Sequence, residues 1–153
     1  PRPARHFEIY RCDREAWAKF RQYHYMNSEL MAGAECYGLF EGNEQIGFFA
    51  VRHMPHPRNP RIKMGHRLVI LPDYQGIGLG GWLIDSIGKL YTDKGYDFRI
   101  VCSARNMVHR LAKDSKWRTC RYNIDTGGTR KASKSIVASH RKVKTASFLY
   151  KGE

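Results

Sequence analysis

The chain has 153 residues, of which 42% are hydrophobic and 27% are charged, and this balance suits one soluble domain with its own core. No apolar run approaches membrane-spanning length, and residues 1–6 lack the apolar centre of a signal peptide. We therefore expect a cytoplasmic protein without a membrane partner, from a bacterial or phage-infected cell. The four cysteines form no Cys-x-x-Cys pair, which favours reduced thiols over disulfides.

Positive charge is in excess and is unevenly distributed. Lys and Arg number 27 against 14 Asp and Glu, which gives a formal net charge of +13. Twelve of these cations fall between Arg105 and Lys144, where the only acids are Asp114 and Asp125. Such an excess favours a polyanionic partner, either a nucleic acid or an acidic protein, and simple solubilisation is the open alternative.

The first third of the chain predicts one helix and an antiparallel hairpin. A strand is predicted over residues 7–10, a helix capped by Asp13 over residues 13–25, and a helical turn over residues 27–31. Two apolar segments, residues 36–40 and 45–51, flank a Glu-Gly-Asn-Glu turn and predict the hairpin. Three prolines then exclude regular structure up to about residue 61.

The most informative segment is LVILPDYQGIGLGGWLI, residues 68–84. It combines the end of a strand predicted over residues 63–71 with a helix predicted over residues 78–94. Between them, glycine fills four of six positions: Gly76, Gly78, Gly80 and Gly81. Glycines allow successive N–H groups to point into one space, and a helix N-terminus adds free N–H groups and the positive end of its dipole. The segment therefore predicts an anion site, best suited to a diphosphate.

After this helix the pattern predicts a strand, a second helix and two further strands. Residues 97–102 predict a short buried strand, residues 106–115 a helix, and residues 117–124 and 145–150 two closing strands. Residues 125–144 between the last two strands are rich in Gly, Ser and Lys and predict a basic insertion.

Three kinds of phosphate loop compete for the glycine pattern. A Walker A loop is excluded because no Gly-Lys-Ser/Thr ends it, and Gly76-x-Gly78-x-x-Gly81 matches the dinucleotide fingerprint without the repeated βαβ units that the fingerprint requires. The third form, Gln/Arg-x-x-Gly-x-Gly/Ala, is met by residues 75–80.

With this loop, residues 62–117 resemble the GCN5-related N-acetyltransferases (GNAT). The resemblance implies an α/β (mixed α+β) fold, with a twisted mixed sheet of about six to seven strands flanked by about four helices. Residues 1–153 would form one domain, with the basic insertion before the last strand. It implies acetyl-CoA as the acyl donor and no metal. The donor-binding positions that it implies are Ile70, Leu71, Gln75, Gly76, Ile77, Gly78, Leu79, Gly80, Gly81 and Asn106. Ile70 and Leu71 would pair through their backbones with the pantetheine arm.

Acyl transfer to an amine needs a base, donors for the oxyanion and an acid for the departing thiolate. His66 is the candidate base because it lies on the donor-facing strand and an imidazole titrates near neutral pH; a hydrogen-bonded structural histidine is the alternative. The resemblance implies backbone N–H groups near Leu71 as the oxyanion donors. Many relatives carry, where this chain has Lys113, a tyrosine that acts as the general acid. Its absence leaves Ser115, Tyr122 or solvent to protonate the thiolate. Asn106 either binds pantetheine or caps its helix.

The predicted function is thus an N-acetyltransferase that acts on a primary amine by direct attack through a tetrahedral intermediate. Three acceptors are open: a modified base in a nucleic acid, a basic or nucleic-acid-associated protein, and a small aromatic or aliphatic amine. The alternative is a non-catalytic nucleic-acid-binding module. His53, His56 and His66 do not predict a zinc site, because Pro55 and Pro57 deny the first pair a helix. Both a monomer and a homodimer are open.

Overall fold

A seven-stranded mixed β-sheet forms the centre of the molecule in the computed structural model, which describes residues 5–24, 30, 32–123 and 145–152. The basic insertion at 125–144 and most of the helical turn expected at 27–31 lie outside the described residues. No helix in the described part is both long enough and apolar enough to cross a membrane.

The elements follow one another as strand, short helix, three strands, and then helices alternating with strands. In chain order they are β1 (Phe7–Arg11), α1 (Trp17–Phe20), β2 (Glu35–Glu41), β3 (Glu44–His53), β4 (Ile62–Ile70), α2 (Leu79–Asp93), β5 (Asp97–Cys102), α3 (Arg105–Lys113), β6 (Trp117–Asn123) and β7 (Thr145–Tyr150). Their order across the sheet is β1-β2-β3-β4-β5-β7-β6. Of the described pairs only β4 and β5 run parallel, which confirms the mixed sheet that the sequence predicts.

The helices confirm the expected fold class but not every expected length. The described residues contain three α-helices, where the resemblance implied about four in the whole chain, and the helix expected over residues 13–25 is α-helical only in α1. Asp13 does cap, because its side chain accepts the N–H of Glu15, but 3₁₀ turns flank α1 on both sides. So short a helix is not stable alone, and its form follows the packing of Trp17 and Phe20 against the sheet.

The two faces of the sheet are covered differently. On one face α2 buries Leu83, Ile84 and Ile87 against a core that includes Phe98 and Phe148. On the other face Trp17 and Phe20 of α1 pack against Phe48 of β3, whose ring lies 5.2 Å from that of Trp17, centroid to centroid. Because α1 is short, it covers the first half of this second face.

A bulge in β4 and the end of its pairing with β5 create the space for a site. Leu68 lies opposite Phe49 and His66 opposite Ala50, which leaves Arg67 as the extra residue, with a φ of +62°. This is the only positive φ among the described non-glycine residues. A bulge bends its strand and increases the local twist. Pairing with β5 ends at Gly65 and Ile100, so the two strands separate beyond that point.

Candidate active site

One cleft runs between β4 and β5 where the two strands separate. It has two parts, which share Leu68, Ala104 and Met107 as lining residues. The loop cavity, about 410 Å³, is lined by the glycine loop, the start of α2 and one side of α3. The strand cavity, about 290 Å³, is lined by residues 65–68 of β4, residues 100–102 of β5, and Tyr23 and His24.

The glycine loop opens into the loop cavity and leaves the start of α2 uncapped by any described side chain. Gly78 is the N-cap of α2 with a φ of +87°, and its carbonyl accepts the N–H of Trp82. A Cβ added at Gly78 would meet nothing within 4 Å, so the space in front of the helix is open. The first N–H groups of α2, at Leu79, Gly80 and Gly81, have no partner within the helix and carry its positive dipole end.

The side chains of the glycine loop differ in their role. Ile77 is 57% exposed and Leu79 is 8% exposed within the core, so only their backbone groups are available to an anion. Gln75 acts through its side chain, whose Nε2 donates to the carbonyl of Ile70 at 2.8 Å and ties the loop to the end of β4.

Arg110 of α3 is a residue that the sequence reasoning missed. Its guanidinium lies against the backbone of Gly81, so close that a Cβ at Gly81 would collide with it. Arg110 also lines the loop cavity with Asn106, one turn before it on α3. The spacing of four residues places both on one helical face, which is the signal that the sequence contained. A fixed cation beside a helix N-terminus strengthens an anion site.

Backbone hydrogen bonds correct the expectation for Leu71. Its N–H donates to the carbonyl of Ile46 at 2.9 Å and its carbonyl accepts from the N–H of Tyr74 at 2.9 Å, so the N–H of Leu71 is not available to pantetheine or to an oxyanion. Alternate residues of an antiparallel strand direct their main-chain groups to opposite edges. Ile70 and Leu68 therefore direct theirs toward the cleft, consistent with the bond that Gln75 makes to Ile70.

Of the two predicted site residues Asn106 and Ser115, only Asn106 lines the cleft. The N-cap of α3 is Ala104, so Asn106 does not cap its helix, and it lines the loop cavity instead. Ser115 lies exposed in the turn between α3 and β6 and is absent from the lining of both cavities. The structure therefore gives Ser115 no place near a departing thiolate. The side chain of Tyr122 lies outside the described part of the chain.

His66 lines the strand cavity one residue before the bulge. Its Nε2 is buried and makes no hydrogen bond to the described residues. Burial, followed by the charges of Arg67, Arg52 and His24, lowers the pKa of His66 to about 4. The imidazole is therefore neutral at pH 7, which differs from the expectation of titration near neutrality. It can accept a proton, but as a weak base.

Comparisons with known proteins identify the family of the chain. The family model described as Acetyltransferase (GNAT) family matches residues 4–112. The chain belongs to the GNAT acetyltransferase family. No curated protein sequence matches this GNAT chain significantly.

Solved structures share the fold across nearly the whole chain. An IAA acetyltransferase from Bacillus cereus is 14% identical with a TM-score of 0.69, and the match covers 95% of this chain and 99% of that one. A Bacillus subtilis acetyltransferase in complex with CoA is 13% identical, with a TM-score of 0.68 and coverage of 96% and 98%. The ribosomal-protein-S18-alanine N-acetyltransferase from Escherichia coli is 12% identical, with a TM-score of 0.67 and coverage of 95% and 93%.

The lowered pKa of His66 makes the stability of this GNAT chain depend on pH. The folded imidazole takes a proton only near pH 4, whereas the unfolded one takes it near its ordinary pKa of about 6.5. The unfolded state therefore binds more protons between these values, and stability falls as pH falls from 6.5 to 4. We expect His66→Gln to lose less of its free energy of unfolding over this range than wild type, measured by urea denaturation. Equal losses would contradict the buried neutral imidazole.

His56 serves the proline segment rather than the cleft. His56 Nδ1 accepts the N–H groups of Arg58 and Asn59, both at 3.1 Å. Arg61 Nε donates to the carbonyl of Gly95, which fastens the segment to the end of α2. Within residues 5–24, 30, 32–123 and 145–152, no three His, Cys, Asp or Glu side chains are grouped to hold a metal ion.

Proposed function

We propose that this GNAT chain transfers the acetyl group of acetyl-CoA to a primary amine by direct attack. The observation that carries the proposal is the single cleft, with an anion cradle in its loop cavity and a neutral histidine in its strand cavity. In this proposal residues 1–153 form one domain, which works in the cytoplasm as a monomer or a homodimer.

The donor would lie along the cleft with its diphosphate at the glycine loop. The backbone N–H groups from Gln75 to Gly81 would hold the diphosphate, and Arg110 would add a charge-assisted contact. The pantetheine arm would run past Asn106 and pair with the main-chain groups of Leu68 and Ile70. The similar Bacillus subtilis acetyltransferase was solved in complex with CoA, which supports this use of the shared fold.

The acetyl carbon would then sit beside the bulge of β4. The amine nitrogen attacks the thioester carbonyl, a C–N bond forms, and the N–H of Leu68 stabilises the oxyanion. Collapse of this intermediate breaks the C–S bond and releases the CoA thiolate. The proton lost by the amine passes to His66 Nε2, directly or through water, and solvent protonates the thiolate. Since Ser115 is exposed outside both cavities, solvent is the better-supported proton source.

Cys102 supports direct attack over an acetyl-enzyme intermediate. It lines the strand cavity, but burial raises the pKa of its thiol to about 11, so the reactive thiolate is scarce at neutral pH. We expect Cys102→Ser to keep kcat/KM within about threefold of wild type, because the thiol takes no part in the chemistry. When the enzyme is incubated with acetyl-CoA and the reaction is then quenched, mass spectrometry should find no acetyl group on Cys102. A stoichiometric acetyl-Cys102 that an added amine discharges would replace direct attack by a two-step transfer.

The acceptor that we propose is an amine on a nucleic acid, such as an aminated base. The net charge of +13 supports a polyanionic acceptor. The residues that line the strand cavity include Arg67, His24 and His66 and no carboxylate, which disfavours polycationic amines. Tyr23, 47% exposed, offers a ring on which a base can stack. A basic protein and a small aromatic amine are the competing acceptors.

The test has two stages, because donor binding and acceptor choice are separate claims. Calorimetry should show that CoA binds. Isotope-labelled acetyl-CoA is then incubated with transfer RNA, with amine-modified DNA, with basic proteins and with arylamines, and the products are identified by mass spectrometry. Labelled bases would support the proposal, and label confined to protein or arylamine would replace the acceptor. The absence of CoA binding would overturn the acetyl transfer itself.

A further inference from the structure

A row of arginines crosses the sheet on the face opposite α2, and the proposed reaction does not use it. Residues that lie directly opposite one another in a sheet share a face. Arg52 of β3 lies opposite Met64 of β4, and Met64 lies beside Arg99 of β5. Arg99 and Arg118 in turn lie on either side of Leu149 of β7. At about 4.8 Å per strand, this row across five strands is about 19 Å long.

A fourth arginine lies one position further along the same face. Arg121 of β6 lies opposite Ser147 of β7, and Ser147 lies opposite Val101 of β5. Arg118 and Arg121 are exposed, and Val101 is 41% exposed. We call Arg52, Arg99, Arg118 and Arg121 the arginine face.

Little among the described residues neutralises the arginine face. The five strands of the row contain two acids, Glu44 at the far end of β3 from Arg52 and Asp97 at the start of β5. The Oδ2 of Asp97 accepts a hydrogen bond of 2.8 Å from Asn59 Nδ2, at the edge of the face. The helices α2 and α3 contact the sheet from the opposite side, where the larger core cluster lies, and α1 packs on this side against Phe48 and Ala50 of β3 and Val69 of β4. A surface of one sign and this extent is suited to a polyanion.

The arginine face continues into the strand cavity. His66 lies two residues along β4 from Met64 and therefore points to the same face. Arg52 is among the charges that lower the pKa of His66, so its field reaches the cavity. Val101, two residues along β5 from Arg99, lines the cavity directly. A chain bound along the face would pass the mouth of this cavity.

We propose that the arginine face binds the phosphate backbone of a single-stranded nucleic acid and leads one base into the strand cavity. Successive arginines of the row are two β-strands apart, or about 10 Å. This distance matches about three nucleotides of a stacked nucleic-acid chain, at about 3.4 Å per nucleotide. A single strand fits because its bases are free to enter a cavity, whereas a duplex first requires base flipping. The entry of the base rests on the proposed acetyl transfer, but binding to the face does not.

Fluorescence anisotropy with labelled single-stranded RNA, single-stranded DNA and duplex DNA tests the binding. We expect wild type to bind the single strands more tightly than the duplex, with a strong dependence on salt. The double variant Arg118→Gln/Arg121→Gln should raise the Kd about tenfold at low salt. Its slope of log K against log salt should be smaller by about 1.4, for two lost phosphate contacts at about 0.7 each. Both residues are exposed strand positions, and an unchanged thermal midpoint verifies folding.

A charge-matched control separates the face from the overall positive charge. Lys89→Gln/Lys113→Gln removes two cations from α2 and α3 and should change the Kd by less than about threefold. Equal losses in both double variants, or no loss in the arginine variant, would overturn the proposal. So would competition by polyglutamate as effective as that by unlabelled oligonucleotide, since an acidic protein would then be the better partner.

Failure of this inference is distinguishable from failure of the proposed function. Gly78→Asp should weaken CoA binding at least about 100-fold while leaving oligonucleotide binding intact. A second outcome is that wild type binds oligonucleotides through the arginine face and yet transfers no labelled acetyl group to a base. That result would support the arginine face and overturn only the proposed acceptor.

Discussion

Gly78→Asp is expected to weaken CoA binding at least about 100-fold. Gly78 is the N-cap of α2, and nothing lies within 4 Å of the position that a new Cβ would take. A carboxylate there would accept the free N–H groups of the helix and repel the diphosphate. Two unit charges about 6 Å apart interact by about 2.8 kcal/mol at an effective dielectric constant of about 20, which corresponds to about two orders of magnitude in Kd. Calorimetric titration with CoA measures the loss.

The hairpin turn between β2 and β3 supplies a matched control. Gly42 also has a positive φ, +61°, and open space around it, and it lies away from both cavities. Gly42→Asp adds the same charge with similar backbone strain and should keep the Kd for CoA within about twofold of wild type. If both variants bind CoA like wild type, the glycine loop does not hold the diphosphate.

His66→Gln is expected to lower kcat/KM about 100-fold while leaving the Kd for CoA unchanged. Glutamine keeps a polar side chain at the cavity wall but cannot accept a proton from the attacking amine, and proton transfer of this kind contributes about 10²–10⁴-fold. Because the pKa of His66 is about 4, the ratio of wild-type to variant kcat/KM should stay constant from pH 5.5 to 8. The ratio should fall only as pH approaches 4, where the imidazole becomes protonated.

His53→Gln is the control, because His53 is an exposed residue at the end of β3 and lines neither cavity. It should retain wild-type kcat/KM. If the ratio of wild-type to His66→Gln kcat/KM instead changes with an apparent pKa near 6.5, the His66 imidazole regains its ordinary pKa once the substrates are bound. Unchanged kcat/KM in this variant would leave His66 only a structural role.

The local sequence pattern was sufficient to predict most of the strands and the position of the glycine loop. The segments predicted at residues 97–102 and 145–150 coincide with β5 and β7, because short apolar or alternating runs bounded by turn residues have few other packings. The glycine loop was recognisable for a similar reason. Its free N–H groups and its helix start depend on residues close together in the chain.

Features that depend on contacts between distant segments were not predictable in this way. The bulge at Arg67 depends on the register between β3 and β4, and the sequence of β4 alone shows an uninterrupted strand. The register with β3 also decides that Leu71 donates its N–H to Ile46, so that Leu68 and Ile70 direct their main-chain groups toward the cleft. The length of α1 likewise follows from its packing on β3 and not from its helical periodicity.

The sequence by itself determined the fold class, the family and the location of the glycine loop, because spacing and residue type within about 20 positions specify a strand, a turn and a helix start. Only the tertiary structure decided which groups share the cleft, with Arg110 against Gly81 and His66 beside the bulge, and it alone aligned four arginines on one face of the sheet. The physical reason is that burial, electrostatic shifts in pKa and strand register arise between elements far apart in the chain.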